Sequence, residues 1–379
     1  MHQSIMNDEL KAFQGAIRRF IEKDITPFHE EWEQEGLVPR AVWEKAGEQG
    51  YLCVTQAAEY GGMALDFRYA CIVTEELARA HASGVGFALH SDIVAPYIET
   101  YGTAEQKERW LPQMASGKMI GAISMSEPGA GSDLQGIRTT ARLDGDTWVL
   151  DGSKTFVSNG ENADVVVVVA RSEETENAWQ NLSLFVVERG MPGFVRGRKL
   201  DKIGLKAQDT TELHFEDCRL PQDCLLGDRG AGFMYLMNQL DRERLVIAVG
   251  CLAAAKAAFE MTVDYCQSRT AFSRPIGKFQ NTRFKLAEMA TEIEITEAFI
   301  DRCIMQIVNG ESITVPASMA KYWSSEMLGR IVDQGVQFHG GYGFMQEYPI
   351  SKAYLDARVQ RIYGGTTEIM KEIIARSII

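Results

Sequence analysis

The chain has 379 residues, of which 45% are hydrophobic and 24% charged, and its formal net charge is −13. A chain of this length can bury a large core and form two or three domains. The acidic balance argues against nucleic acid as a partner, because binding phosphates along a backbone needs clustered Lys and Arg.

Residues 7–120 have the spacing of amphipathic helices. The segment FQGAIRRFIEKDI places Phe13, Ile17 and Phe20 close to the helical period, and Pro27 follows soon after it. The segments VWEKAGEQGYL and FRYACIVTEELARAHA repeat this pattern between Gly and Pro residues. The sequence therefore predicts an N-terminal helical domain over residues 1–120.

Residues 121–230 change to the pattern of β-strands. The segment TWVLDGSKTFVSN has two β-rich runs around Asp151 and Gly152, which predicts a hairpin turn at that dipeptide. The run ADVVVVVA (163–170) predicts a buried strand, and LSLFVVER and TTELHFEDCRL predict further strands. We expect a middle β domain over residues 121–230.

The helical pattern returns over residues 231–379. A stretch without proline begins at Gly232 and predicts a very long helix, and further helices follow at roughly 278–309, 314–338 and 349–361. Their short connections predict a C-terminal four-helix bundle. The predicted fold is thus α+β and multidomain, with an N-terminal helical domain, a middle β domain and a helical bundle.

Two motifs in the middle region are candidates for binding a ligand. In GAISMSEPGAGSDLQG (121–136), glycines allow close approach of the backbone, and Ser126 and Ser132 add hydroxyl groups. In KTFVSNG (154–160), Phe156 and Ser158 share one strand face, so that a ring could cover a flat heterocycle beside a hydroxyl group. The alternatives are a tight turn and an ordinary core phenylalanine.

Two further motifs lie in the C-terminal region. In SRTAFSRPIGKFQ (268–280), Arg269 and Arg274 could bind a phosphate or could simply form a solvated helix end. In residues 337–369, the pairs Gly340–Gly341 and Gly364–Gly365 interrupt a helical pattern, which indicates backbone packed against something flat or a plain loop.

The cysteines, the histidines and the hydropathy of the chain indicate whether disulfides, a metal site or a membrane span are expected. The seven cysteines include no CxxC pair and the six histidines no HExxH pair, so we expect free thiols and no metal site. No signal peptide and no long apolar run are evident, so we expect no membrane span and a cytoplasmic location in a bacterium.

Taken together, the motifs SEPGAGSD, SNG, RxxF…Q and GGYGF…EYP…DARV…IYGGT resemble those of the acyl-CoA dehydrogenase family, in order and over essentially the whole chain. The resemblance implies non-covalent FAD and oxidation of an acyl-CoA thioester to the trans-2-enoyl-CoA, as in fatty-acid β-oxidation. It also implies an electron-transferring flavoprotein as acceptor and a homotetramer or dimer. Several segments, among them ALHSDIVAPYIETYG, look closest to the long-chain branch.

The resemblance also implies roles for individual residues. Ser126, Phe156 and Ser158 would contact the flavin ring. Residues meeting the rest of FAD, partly across a subunit boundary, would be Arg269, Phe272, Gln280, Gln337, Gly340, Gly341, Thr366 and Glu368. Ser132, Arg244, Tyr363 and Gly365 would contact the substrate.

The catalytic base is the point at which this chain departs from many members of the family. Gly364 stands where those members have a glutamate, and it keeps only the backbone N–H that would hold the thioester oxygen. In the long-chain and isovaleryl branches the base is a glutamate in an ERL segment, which Glu243 matches in LDRERLVIAVG. A buried carboxyl group there would have a raised pKa, as a general base needs.

Several alternatives stay open on the sequence. Glu243 could lie on a solvated face or in an ion pair, Glu368 could be the base, and the protein could lack a base. The substrate could be branched, terpenoid or short. The enzyme could be an acyl-CoA oxidase on the same scaffold, or the protein could be a relative that only binds flavin or DNA.

Overall fold

A computed structural model describes residue 1 and residues 5–379. The N-terminal region is helical, as the sequence predicts. Asn7 caps the first helix by accepting a hydrogen bond from the backbone N–H of Leu10, at 2.9 Å, and Ile17 and Phe20 are buried on its inner face. The helices of this region are α1 (Asp8–Asp24), α2 (His29–Glu35), α3 (Arg40–Glu48), α4 (Phe67–Arg79), α5 (Ala95–Tyr101) and α6 (Ala104–Ala115).

The middle region forms a mixed sheet whose strands run in the order β6-β7-β3-β2-β4-β5-β8, with β1 paired in parallel to β4. The strands are β1 (Gly121–Ser124), β2 (Thr140–Asp144), β3 (Thr147–Ser158), β4 (Val165–Arg171), β5 (Leu182–Glu188), β6 (Phe194–Lys199), β7 (Thr210–Pro221) and β8 (Leu225–Leu226). The strand predicted in ADVVVVVA is β4.

Strand β4 is buried on both faces, which explains its continuous run of valines. Val165 and Val167 pack in a cluster that contains Trp110 of α6, while Val166 packs in a second cluster with Phe185 of β5. The sheet therefore has one core of its own and another that it shares with the N-terminal helices.

The hairpin predicted at Asp151–Gly152 is wrong. Strand β3 runs through both residues, and its pairing with β7 shifts register there. Gly152 has φ +148°, and a Cβ atom on it would lie 2.5 Å from the Thr139 hydroxyl oxygen, so this glycine serves a bulge and a close approach. The hairpin turn lies instead between β2 and β3, at Gly145, where Asp144 pairs with Thr147.

The C-terminal region is dominated by long helices. Helix α9 packs against α7, α8, α10 and α11, which places it in the middle of the bundle. A short hairpin separates α7 from α8. The elements are α7 (Gly232–Ser268), β9 (Thr270–Ala271), β10 (Arg274–Pro275), α8 (Gln280–Val308), α9 (Thr314–His339), α10 (Pro349–Ala357) and α11 (Thr367–Arg376).

Helix α7 is long and apolar enough to cross a membrane by length and composition alone. It contains an 18-residue window of mean hydropathy 1.7, of which 56% is buried. Leu245, Val249 and Leu252 of α7 share one core with Ile17 of α1 and Ile300 of α8. These contacts are those of a helix at the centre of a protein core, and the two helical regions are packed on each other through it.

Candidate active site

Glu243 lies in α7 with only 4% of its surface exposed. Its Oε1 accepts a hydrogen bond from the Tyr97 hydroxyl group at 2.8 Å. Burial raises the pKa of Glu243 to about 7, against the hydrogen bond from Tyr97 and the positive charge of Arg244, which both lower it. The solvated-face alternative is therefore excluded for this carboxylate.

Tyr97 reaches Glu243 from the N-terminal region. Residues Leu89–Val94 form a π-helical turn that leads directly into α5, and Pro96 occupies the first turn of that helix. Tyr97 is fully buried, and burial together with the charge of Glu243 holds the pKa of Tyr97 well above its ordinary value. The phenol is therefore protonated and donates to the carboxylate.

The charged residues on either side of Glu243 have other partners. Asp241 accepts a hydrogen bond from the hydroxyl group of Thr314, at 2.6 Å. Arg242 donates to the hydroxyl group of Thr55 at 2.6 Å and lies 3.4 Å from Asp92. Within LDRER, it is thus Glu243 that faces Tyr97.

Arg244 is buried, but it forms no ion pair with Glu243 among the described residues. Its nearest carboxylate is that of Asp241, with 4.0 Å between Nη1 and Oδ1. Its Nε has no hydrogen-bond partner within the described chain, and burial lowers the pKa of this guanidinium. A buried N–H group without a hydrogen-bond partner can donate to an acceptor atom of a ligand.

Gly364 lies beside the face of α7 that carries Glu243. A Cβ atom on Gly364 would lie 2.3 Å from Cδ1 of Ile247, which follows Glu243 by one helical turn. Gly364 and Gly365 have φ values of +63° and +93°, in the left-handed region that favours glycine. Tyr363 is 38% exposed, and its hydroxyl group donates to the Gln360 side chain at 2.7 Å.

A buried lysine supports this glycine turn. Lys321 of α9 is fully buried and donates to the carbonyl oxygen of Gly365. Burial lowers the pKa of Lys321 to about 8. The hydrogen bond ties the turn to the central helix of the bundle.

Glu127 organises the glycine-containing loop of the middle region. Its backbone exchanges two hydrogen bonds with Ala130, of 2.8 and 3.1 Å. Its carboxylate accepts from the backbone N–H groups of Arg138 and Thr139 at 2.7 and 2.9 Å, and from the buried Lys154 ammonium at 2.9 Å. These bonds give the loop a defined shape, which fits a structural role for Glu127.

The same loop lies against the end of β3. The backbone N–H of Thr155 donates to the carbonyl oxygen of Ser126 at 2.9 Å. Phe156, at a bulge with φ +58°, is 70% exposed, which excludes the core alternative for its ring, and Ser158 is half-buried. Gly129 and Gly131 have open space where a Cβ atom would stand, and Ser132 is exposed. An exposed ring beside a loop with free space fits a flat heterocyclic cofactor.

The residues at the end of α7 form a separate exposed group. The Arg269 guanidinium lies 5.7 Å from the centre of the Tyr342 ring. Phe272 is 92% exposed, and Gln280 is exposed at the start of α8. Gln337, Gly340 and Gly341 are exposed at the end of α9, and open space surrounds both glycines.

The last helix begins next to the glycine turn. Thr366 caps α11 by accepting a hydrogen bond from the backbone N–H of Ile369 at 3.3 Å. Glu368 is exposed in the first turn of this helix. The helix N-terminus suits an anion.

The candidate site residues thus form three groups. One joins Glu243, Arg244 and the Gly364 turn, the second joins Ser126 with Phe156 and Ser158, and the third joins Arg269 with Tyr342. Within the described chain no hydrogen bond links one group to another. Within it, too, no group of three His, Cys, Asp or Glu side chains could hold a metal ion, and all seven cysteines are buried free thiols.

Sequence reasoning missed two buried residues of the first group, Tyr97 and Lys321. Lys321 left a signal, since a lysine within the otherwise weakly polar segment PASMAKYW is unusual for a buried helix face. Tyr97 left none, because its partner lies 146 positions along the chain.

Models of a known protein family and individual known proteins match nearly all of the chain. Family models of acyl-CoA dehydrogenase match its N-terminal domain at residues 7–118, its middle domain at residues 122–218 and its C-terminal domain at residues 230–379. The long-chain specific acyl-CoA dehydrogenase of Rattus norvegicus mitochondria is 50% identical over 376 residues, covering 99% of this chain and 87% of that protein.

Solved structures agree in fold. An acyl-CoA dehydrogenase from Geobacillus kaustophilus matches with a TM-score of 0.97 and 47% identity, covering 99% of both chains. An acyl-CoA dehydrogenase from Bacillus anthracis, described as complexed with FAD, matches with a TM-score of 0.94 and 32% identity, covering 100% of this chain and 68% of that one.

Proposed function

The chain belongs to the acyl-CoA dehydrogenase family, and we propose that it converts a long-chain acyl-CoA to the trans-2-enoyl-CoA, with Glu243 as the catalytic base. It is an FAD-dependent oxidoreductase of fatty-acid metabolism. The observation that carries the assignment of the base is the buried Glu243 carboxylate, whose pKa of about 7 lies at working pH.

FAD supplies the acceptor for the hydride that leaves the β-carbon of the substrate. Ser126, Phe156 and Ser158 would hold its ring system. The ring of Phe156 is exposed, and its strand lies against the loop of Ser126, in which the glycines leave open space. The remainder of FAD would meet residues at three places in the C-terminal region. These are Arg269, Phe272 and Gln280 after the end of α7, Gln337, Gly340 and Gly341 at the end of α9, and Thr366 and Glu368 at the start of α11.

Proton removal is the step that this chain performs with its own residues. The α C–H of a thioester is a weak acid, so the enzyme needs a base and a donor for the thioester oxygen. Oε1 of Glu243 is held by Tyr97, and its other oxygen would take the α-proton. The backbone N–H of Gly364 would donate to the thioester oxygen, and the buried Lys321 holds the turn that carries it.

Four further residues would contact the substrate. Arg244 offers a buried donor that has no partner within the described chain. Tyr363 and Gly365 flank Gly364, and Ser132 is exposed on the middle loop, where it would meet the pantetheine arm of CoA.

The preference for long chains rests on the similarity to the long-chain enzyme and on the position of the base in α7. A glycine at position 364 removes a side chain from the turn beside Ile247 and Glu243. The side chain of Ile247 already occupies the position that a side chain on residue 364 would take. Acyl groups branched near the thioester are the competing substrate class.

Anaerobic bleaching of the flavin by an acyl-CoA series from C4 to C18, with branched members included, tests the substrate. We expect the fastest bleaching by the long unbranched chains. Glu243→Gln should keep its flavin and lose bleaching by at least about 1,000-fold, because the base is removed. The matched control is Glu368→Gln, since Glu368 is an exposed glutamate at the other candidate position.

Two outcomes would contradict the proposal. Normal bleaching of Glu243→Gln, together with its loss in Glu368→Gln, would move the base to Glu368. Fast reoxidation of the reduced enzyme by oxygen, with release of peroxide, would indicate an oxidase, whereas we propose an electron-transferring flavoprotein as the acceptor.

We also propose that the enzyme is a homotetramer. Helices α8 and α9 expose apolar side chains, with Phe284 57%, Ile295 61% and Trp323 38% exposed. Exposed apolar residues gathered on one face are typical of an interface between subunits. Such an assembly would also bring the exposed groups of the proposed FAD site next to a second subunit.

A further inference from the structure

We propose that Tyr97 is a positioning residue for the proton transfer, which holds Oε1 of Glu243 so that Oε2 faces the substrate. This inference rests on the proposed role of Glu243 as the base. It concerns the direction and protonation of a carboxylate that the fold places in a buried position.

The geometry of the pair carries the inference. The phenol of Tyr97 lies 2.8 Å from Oε1, the ring is fully buried, and Glu243 is 4% exposed. Within the described residues Oε2 of Glu243 has no hydrogen-bond partner. A carboxylate with one oxygen bound and the other free has one atom available to accept a proton, and its rotation is restricted.

The position of Tyr97 is itself held firmly. The residue follows the π-helical turn Leu89–Val94 and packs in the cluster that contains Val94, Ile98 and Trp110. This cluster joins the N-terminal helices to the sheet. The hydroxyl group therefore comes from a different part of the fold than the helix that carries the base.

The charged and titratable groups around Glu243 are few. Tyr97 faces it from α5, and Arg244 affects it from α7 itself. Tyr101 of α5 raises the pKa of Tyr97, and Arg244 lowers the pKa of Lys321 of α9. Neither Tyr101 nor Lys321 is among the groups that shift the pKa of Glu243. Asp241 and Arg242 are engaged by Thr314, and by Thr55 and Asp92. The Tyr97 hydroxyl group is thus the direct hydrogen-bond donor that opposes the rise in the pKa of Glu243 caused by burial.

Tyr97→Phe removes the donor and retains the ring. Without the hydrogen bond, the charged form of Glu243 loses stabilisation, so its pKa rises further. We expect the acidic limb of the rate of flavin reduction to move to higher pH by about one unit. At a pH below this limb the rate should fall roughly tenfold, whereas at high pH the rate and the affinity for acyl-CoA should stay near those of the parent enzyme.

The control is Tyr101→Phe, which removes the same atom one helical turn further along α5. The Tyr101 hydroxyl group lies 3.5 Å from the carbonyl oxygen of Tyr235 and does not contact Glu243. We expect an unchanged pH profile for this variant. A purely structural role of Tyr97 predicts instead a loss of rate or stability that does not depend on pH.

Infrared titration gives a readout without turnover. The carboxyl band that is present in the parent protein and absent in Glu243→Gln reports protonation of Glu243 directly. In Tyr97→Phe this band should titrate about one unit higher. If Tyr97→Phe does not fold, 3-fluorotyrosine placed at position 97 keeps the ring and makes the phenol a stronger donor, so the limb should move to lower pH.

The outcomes separate this inference from the proposed function. Normal flavin reduction by Glu243→Gln would overturn the role of Glu243 and the inference with it. Loss of reduction in Glu243→Gln, combined with a pH profile and carboxyl band in Tyr97→Phe equal to those of the parent enzyme, would overturn the role of Tyr97 alone.

Discussion

Two glutamates on helices, Glu243 and Glu368, are candidates for the base on sequence grounds. They differ in the one property that sequence does not display, which is burial. Glu368 is exposed, whereas Glu243 is 4% exposed and accepts a single hydrogen bond from Tyr97. A general base needs a pKa near working pH, and burial is the factor that raises the pKa of Glu243 to about 7. The geometry therefore favours Glu243.

The same burial has a consequence for stability. The folded protein binds the Glu243 proton more tightly than the unfolded chain, since the pKa rises from 4.5 to about 7. This contribution favours folding below about pH 4.5 and is lost as pH rises through about 7. We expect Glu243→Gln to have a free energy of unfolding higher than that of the parent protein by about 2 to 3 kcal/mol at pH 8. At pH 4.5 the two should be nearly equal.

Thermal unfolding at both pH values, with FAD in excess, measures this difference. Glu260→Gln is the matched control on the same helix, and it should change the free energy of unfolding by less than about 0.5 kcal/mol because the side chain is exposed. An equal effect of the two substitutions, or an effect of Glu243→Gln that does not vary with pH, would contradict the assigned burial.

At the scale of elements, the middle domain separates what strand patterns predict well from what they predict poorly. The run of valines in β4 is buried on both faces, as its continuity predicts. The dipeptide Asp151–Gly152 has the composition of a hairpin turn, but β3 continues through it as a bulge. The composition of this dipeptide cannot distinguish a bulge from a hairpin turn, because both require a glycine with unusual dihedral angles.

Gly152→Ala tests the bulge. The added Cβ atom would lie 2.5 Å from the Thr139 hydroxyl oxygen, at a backbone angle of φ +148° that alanine rarely adopts. We expect a loss of about 2 to 3 kcal/mol in the free energy of unfolding, measured by chemical denaturation. The control, Gly15→Ala in α1, should raise stability by roughly 0.5 to 1 kcal/mol, because that glycine is helical and has only the Arg19 side chain nearby. A neutral Gly152→Ala would show that the strand can shift register at little cost.

At the scale of the whole molecule, the helical regions at both ends of the chain share a core through α7. This arrangement leaves the opposite faces of α8 and α9 exposed. Trp323 of α9 bridges these two helices by donating its indole N–H to the Thr296 hydroxyl group of α8 at 2.8 Å. The exposed Ile295 next to it has no such bridging role among the residues that the structure describes, and a subunit interface would account for its exposure.

Ile295→Arg tests the proposed tetramer. A charge at the centre of an apolar interface must be desolvated without a partner, so we expect a smaller assembly in light scattering and a Tm that depends on protein concentration. Leu143→Arg is the control, because Leu143 is also exposed, at 45%, but lies on β2 of the middle domain. An unchanged mass for Ile295→Arg would exclude this face as an interface.

The sequence by itself determined the order of the three regions, the family and the two candidate bases, because hydrophobic periodicity and local motifs are properties of neighbouring residues. Only the tertiary structure decided which glutamate is buried, what it is bound to and where β3 bends. Tyr97 and Glu243 lie 146 positions apart, and Lys321 is 44 positions from the glycine turn that it holds. Contacts between residues so far apart in the sequence depend on how the helices and the sheet pack together. The local sequence pattern does not specify that packing.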